Sequence, residues 1–419
     1  MQMSKDRVVI VGGGLAGLAC AIHLKSNGIP VQLFEAGTTL GGRVATDVVD
    51  GFLLDRGFQV LLTSYAEAKR MLDFRALQLH RFTPGAAIRR NGKFHRVVDP
   101  LRSPQFALQT ATTELATVAD KLLVAKMSVL SSNCDPNDPK LAGVSTADEL
   151  RNIGFSEQFI ESFFRPFFGG IFLEGNLKSN AAMFRYLFRM FSTGYATLPA
   201  GGMGAIARQL AAKLKPSEYR LGEPIECIDD DGVILKSGER VTASHVVIAT
   251  DWAAAAKIFN RQSLRPSRSV SCLYFAADSL PSNLPILYLN GERDGIINNL
   301  CFPTTIAPTY APAQQHLLSV SVLDDLTSSD LHIETEVRTE LARWFGETAS
   351  NWRHLRTYRI KHALPGQSPG IEPEFLNHRL NDRIFICGDY TEHASINGAL
   401  LSGRRAAQAL IQTLQTSAA

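Results

Sequence analysis

The sequence predicts an α/β fold: a Rossmann-type unit at the amino terminus, joined to a discontinuous α+β domain made of an antiparallel sheet and a helical lid. Three observations predict it. The β-branched run Arg7-Val8-Val9-Ile10-Val11 stops at a glycine-rich turn and is followed by a helical pattern and a second strand, all within about thirty residues. A phenylalanine-rich helical tract fills the middle of the chain, and short strands separated by Pro and Gly fill residues 262–365. With 419 residues, the chain is long enough to bury a large core and to form two domains.

The first strand reads as one buried in a parallel sheet. Gly12-Gly13-Gly14-Leu15-Ala16-Gly17 then supplies glycines in order: Gly12 for the tight turn, Gly14 for close approach to a pyrophosphate, and Gly17 for packing of helix on strand. Apolar residues at Leu15, Leu18, Ala19, Ile22 and Leu24 place a helix over 15–26, so the amides of Leu15 and Ala16 aim at the phosphates. Pro30 to Phe34 is the second strand. Glu35 at its carboxyl end can accept hydrogen bonds from both hydroxyls of an adenosine ribose, and it disfavours a 2′-phosphate. Next comes Leu40-Gly41-Gly42-Arg43, in which two glycines let the backbone pass close to the pyrophosphate while Arg43 offsets its charge.

The Gly-Gly-Arg after Glu35 resembles the signature of flavin enzymes of the amine oxidase, phytoene desaturase and protoporphyrinogen oxidase superfamily. The resemblance implies tightly held FAD and assigns further neighbours to it. Gly57, Phe58 and Gln59 would pass alongside the isoalloxazine, the alternative being a plain β-turn with a core phenylalanine. Ile225 would meet the adenine through its backbone, and Thr250 ends a buried strand near the cofactor. Gly388 and Asp389 would bind the ribityl chain. Ile396, Asn397 and Ala399 open the final helix, read over 399–414, whose amides would face the flavin pyrimidine edge. Lys361 falls where relatives place residues near the flavin. The implied FAD-binding domain is 1–85, 195–261 and 366–419, and the substrate domain is 86–194 and 262–365.

Composition sets limits. The formal charge of +3, with no basic cluster interleaved with aromatics, gives no reason to expect nucleic acid. Six cysteines without a C-x-x-C pair argue against zinc and disulfides and for a reducing compartment. Met1 to Arg7 holds no apolar signal-peptide core, and no run is long enough to span a bilayer. A cytoplasmic location is expected. Peripheral membrane contact and the oligomeric state stay open.

Ala86 to Arg89 and Phe94 to Val98, around Asn91-Gly92, read as a hairpin with a type I′ turn. Residues 103–194 read as helical. Ser103-Pro104 looks like a helix start, and Leu108, Leu115, Val118, Leu122 and Leu123 recur as one amphipathic stripe. Thr146 to Glu149 reads as a capping box, and Ser156 as a further cap. Then seven of the 23 phenylalanines crowd into 155–172. The plain reading is core. The functional reading is an apolar substrate channel involving Phe163, Phe164, Phe167 and Phe168, with Arg165-Pro166 kinking the helix and Gly169-Gly170 ending it.

The expected chemistry is hydride removal from a C–H bond of a bulky apolar small molecule by an FAD-dependent oxidoreductase, of desaturase or dehydrogenase type, with no metal and no assigned catalytic side chain. The resemblance departs at one place. Amine oxidases commonly set a lysine ahead of the first strand of the substrate sheet, and here the residues are Arg268-Ser269-Val270-Ser271. A flavin amine oxidase, a redox-neutral flavin isomerase and a non-catalytic flavoprotein remain alternatives.

Overall fold

The computed structural model describes residues 7–260, 266–323, 326–370 and 378–418. Most of the stretch before the first strand lies outside them, so its signal-peptide reading has no structural counterpart. The Rossmann-type sheet has five strands, all parallel. In spatial order they are Tyr219–Leu221, Val31–Glu35, Val8–Val11, His245–Ile248 and Ile384–Ile386. Val8 to Val11 are all buried, as a central parallel strand flanked on both faces requires. The helix Leu15–Ser26 has the bounds its apolar spacing predicts. It packs against the final helix, Ile396–Ala418, so closely that a Cβ on Gly403 would lie 2.1 Å from the Ala16 carbonyl oxygen.

The second sheet has seven strands and combines two distant stretches of chain. The hairpin Gly85–Arg90 and Lys93–Val98 turns on Asn91 and Gly92, both with positive φ as a type I′ turn demands. Its first strand pairs in parallel with Leu287–Asn290, and from there the sheet continues antiparallel through Ile297–Cys301, His316–Val322, Ser267–Ala277 and Arg353–Pro365. One parallel pairing therefore makes the expected antiparallel sheet a mixed one. Its outer face packs on the helix Asp330–Phe345 through Leu273, Phe275, Leu318 and Val320.

The helical region corrects several expectations. The stripe from Leu108 to Leu123 is two helices, Ala107–Thr112 and Val118–Leu130, because Thr117 and Asp120 form a capping box that starts the second. Leu108, Val118 and Leu122 are exposed. Ser103 precedes a short 3₁₀ turn and makes no side-chain cap. The next cap is Ser145, accepting from the Asp148 amide, while the Thr146 hydroxyl donates to the Ser179 carbonyl. Ser156 caps as expected. Pro166 is accommodated by a π-helical turn over Ile160–Phe164, and the helix Arg165–Phe172 runs through Gly169-Gly170 to end at Leu173.

A buried carboxyl ties the two units together. Asp55 accepts from Thr46 Oγ1 at 2.5 Å, the Met203 amide at 2.8 Å and Tyr310 Oη at 2.9 Å. Burial pushes its pKa up from 3.8 to about 6, against the opposing effect of those donors. In the unfolded chain the group ionises first, so its contribution to stability falls as pH rises from 3.8 to 6, by about 3 kcal/mol. Asp55→Asn should flatten the loss of melting temperature across that window. An unchanged slope in the variant would show that other groups set it.

Candidate functional site

A cavity of about 1790 Å³ runs from the Gly12 loop to the helices around Lys121 and Ser128, with walls from both sheets. Its first arm is lined by Gly12, Gly14, Leu15, Ala16, Glu35, Gly41, Gly42 and Arg43, with Ile225 and Thr250 beside them. Gly57, Phe58, Gln59, Lys361, Gly388, Asp389, Ile396 and Ala399 line the middle. The far arm is aromatic. Phe159, Phe163 and Phe167 stack in a row, with centroids 5.2 and 5.5 Å apart and rings within 15° of parallel.

The first arm has the form of a diphosphate cradle. Gly12 has φ +111°, and a Cβ there would lie 2.8 Å from the Ala249 carbonyl carbon. At Gly14 a Cβ would meet nothing within 4 Å, so the backbone borders open space. Gly17 does not line the cavity. Its missing Cβ would lie 2.0 Å from the Gly12 carbonyl oxygen, so it serves the packing of the turn on its helix. Glu35 accepts from the amides of Gly13 and Gly37, each at 2.7 Å. Each oxygen keeps a further lone pair for a ribose hydroxyl. Gln59 donates to the Arg43 carbonyl at 2.9 Å, while its own Oε1 is buried without a partner. That acceptor calls for a bound donor, and the cradle and the orphan together fit a flavin dinucleotide.

Arg43 does more than face phosphates. Its guanidinium donates to Asp389 Oδ1 at 2.7 Å and to the Ala363 carbonyl at 2.9 Å, and it lies over the Trp252 ring. One oxygen of Asp389 is therefore engaged by Arg43, across 346 positions of sequence.

Two expected site residues are corrected. Asn397 is not in the cavity wall: its Oδ1 accepts from the Glu67 amide and its Nδ2 donates to Tyr186 Oη, fastening the final helix to its neighbours. Phe164 is fully buried between Phe155, Phe168 and Phe184, on the core side of the helix. Phe163, Phe167 and Phe168 do line the cavity, and Lys361 borders it while exposed.

The structure adds groups that sequence reasoning missed. Tyr65 and Ser395 line the cavity where the final helix begins. Beside them the His393 ring packs on Tyr186 at a tilt of 56°, with centroids 4.8 Å apart, and shares a hydrogen bond with Ser395 Oγ at 3.0 Å. Burial lowers the His393 pKa to about 4, so the imidazole is neutral at pH 7. Asn299 and Ser321 bring polar groups into the far arm. The signal for Asn299 was an adjacent asparagine pair inside an otherwise apolar strand.

A family described as flavin containing amine oxidoreductases matches residues 15–411. The chain belongs to that family. The flavoprotein is an FAD-dependent oxidoreductase, and FAD is the cofactor that the cradle fits. It is 25% identical over 172 residues to protoporphyrinogen oxidase 2 of Arabidopsis thaliana, a match covering 40% of this chain and 33% of the relative. It is 25% identical over 291 residues to the carotenoid 3,4-desaturase of Haloarcula japonica, covering 61% of this chain and 57% of that protein. These curated relatives are thus matched over less than two thirds of their length. The flavoprotein also shares its fold with the cyclohexylamine oxidase of Brevibacterium oxydans, with TM-score 0.73, 18% identity, and 98% and 99% of the two chains covered. Among the described residues, no helix is long and apolar enough to cross a membrane.

Proposed function

We propose that the flavoprotein removes a hydride from a C–H bond of a bulky apolar small molecule, as a desaturase or dehydrogenase. The observation that carries this reading is the stacked row Phe159, Phe163 and Phe167, facing Leu187, Phe188 and Phe191 in one continuous cavity with the cradle. Such a wall holds a ring system or polyene by removing apolar surface from water, at about 25 cal/mol per Å². It also excludes water from the reacting bond.

Bound FAD supplies the two-electron acceptor. The chain's part is to hold and orient. Gly12, Gly14 and Glu35 position the dinucleotide end, Arg43 fixes the middle of the cradle, and the aromatic row sets how deep a flat substrate enters. The names of the two curated relatives, a porphyrinogen oxidase and a carotenoid desaturase, support a large unsaturated substrate. A flavin amine oxidase has less support, because Val270 lines the cavity near the place where such enzymes commonly set a lysine. Leu101, in a turn, and Leu108, Val118, Leu122 and Val129, on helices bordering the far arm, are exposed, which supports peripheral contact with a membrane carrying such a substrate.

Anaerobic mixing tests the reading. A porphyrinogen or a partly saturated polyene should bleach the flavin absorbance of the holoprotein, with one double bond gained per flavin reduced. Bleaching by putrescine or cyclohexylamine, with none by the apolar compounds, would overturn it.

A further inference from the structure

We infer that Asn299 and Ser321 form a recognition point for an oxygen atom, so that the apolar substrate carries a carbonyl, carboxyl or hydroxyl group at one defined position. The inference rests on the apolar-substrate reading of the same cavity and narrows it.

The two residues face each other across the antiparallel pair of strands Ile297–Cys301 and His316–Val322. Leu318, Val320 and Val322 pack toward the helix Asp330–Phe345, so by alternation Ser319 and Ser321 point the other way, toward the cavity. Asn299 and Ser321 both line the cavity, and each residue is only 4% exposed.

The orientation of Asn299 is fixed by its neighbour. Asn298 Nδ2 donates to the Pro166 carbonyl at 2.9 Å, an oxygen that can only accept. The same Nδ2 donates to Asn299 Oδ1 at 2.8 Å, which turns the Asn299 amide oxygen toward Asn298 and leaves its two N–H groups. Among the described residues, neither Asn299 Nδ2 nor Ser321 Oγ has a hydrogen-bond partner, and neither atom is sealed from open space. Gly170 keeps the arrangement in place: a Cβ there would lie 2.8 Å from Asn299 Oδ1.

Buried polar groups ordinarily find partners, and unpaired ones are costly in a low-dielectric wall. Two donors, adjacent and nine-tenths buried, are matched by one ligand oxygen. A pure hydrocarbon would leave both unmade.

Two terpenoids of equal carbon number, farnesal and farnesene, distinguish the cases when titrated calorimetrically into the holoprotein. Farnesal should bind more tightly. Asn299→Leu should weaken farnesal by about threefold to tenfold and leave farnesene unchanged. Ser321→Ala should act in the same direction, less strongly. Asn299→Asp keeps the shape but exchanges donor for acceptor, so it should abolish the preference for farnesal even if the leucine variant folds poorly. Flavin content confirms that each variant retains its cradle. Equal affinity for the two ligands in the wild type overturns the inference while leaving the apolar cavity standing, and so does undiminished discrimination in the folded variants. If neither ligand binds, the apolar-substrate reading fails and the recognition point fails with it.

Discussion

Phe164→Asp should abolish folding, whereas Phe163→Asp should give a folded holoprotein that holds an apolar substrate weakly. The two side chains are adjacent in sequence and their rings meet edge to face with centroids 5.2 Å apart, but only Phe163 borders the cavity. Phe164 is fully buried and packs on Phe155, Phe159, Phe168 and Phe184. Losing the ring costs about 3–5 kcal/mol. An unpaired carboxylate in its place adds several more. Together these approach the about 5–15 kcal/mol that holds a typical domain folded. At Phe163 the new carboxylate borders the cavity, where water can reach it, so the cost moves from folding to binding. Thermal melting of the two purified variants, with substrate affinity measured on Phe163→Asp, checks both halves. Similar melting temperatures would show that the helix faces are assigned wrongly.

Arg43→Leu should release FAD and lower the melting temperature of the apoprotein as well. Asp389 has 4% of its side chain exposed and would be left with an uncompensated charge. Removing one partner of a buried pair costs about 3–5 kcal/mol, and with a third of the Arg43 side chain exposed to screening solvent a smaller loss, about 2–3 kcal/mol, is expected. Arg43→Leu combined with Asp389→Leu should recover part of the apoprotein stability, since no buried charge then remains, but should not recover FAD binding. A double-mutant cycle on apoprotein melting measures the coupling. Simple additivity would mean that Arg43 and Asp389 act independently.

The cradle was legible in the sequence because its constraints are local. A strand, a turn that only glycine can make, and a helix beginning at once leave little choice over residues 8–26. Other features were set by distant chain. The edge strand Tyr219–Leu221 has only three residues and exists because Val31–Glu35 offers a free side. Gly169-Gly170 looked like a helix stop, glycine's commonest role, but Gly170 is small to admit Asn298 and Asn299 from a stretch of chain more than a hundred residues away. The cap at Ser145 was misplaced by one position because Thr146 carries the same hydroxyl chemistry. Asn299 and Ser321 were invisible as a pair because only the register of two strands sets them side by side.

The order in which the parallel sheet is built has a consequence for biogenesis. Its central strand Val8–Val11 is made more than two hundred residues before its neighbour His245–Ile248, and the strand Ile384–Ile386 is made later again. The helix Ile396–Ala418 that covers Leu15–Ser26 is later still. A nascent chain therefore carries the glycine turn long before the residues that close over it have been synthesised. Parallel pairings this distant form slowly and leave strand edges open meanwhile. Because the cavity wall combines Gly12 and Gly14 with Gly388 and Ile396, flavin binding should draw the population toward the assembled form by mass action. Cells starved of flavin should accumulate this protein as a protease-sensitive species cut between the two ends, and not merely as an inactive one.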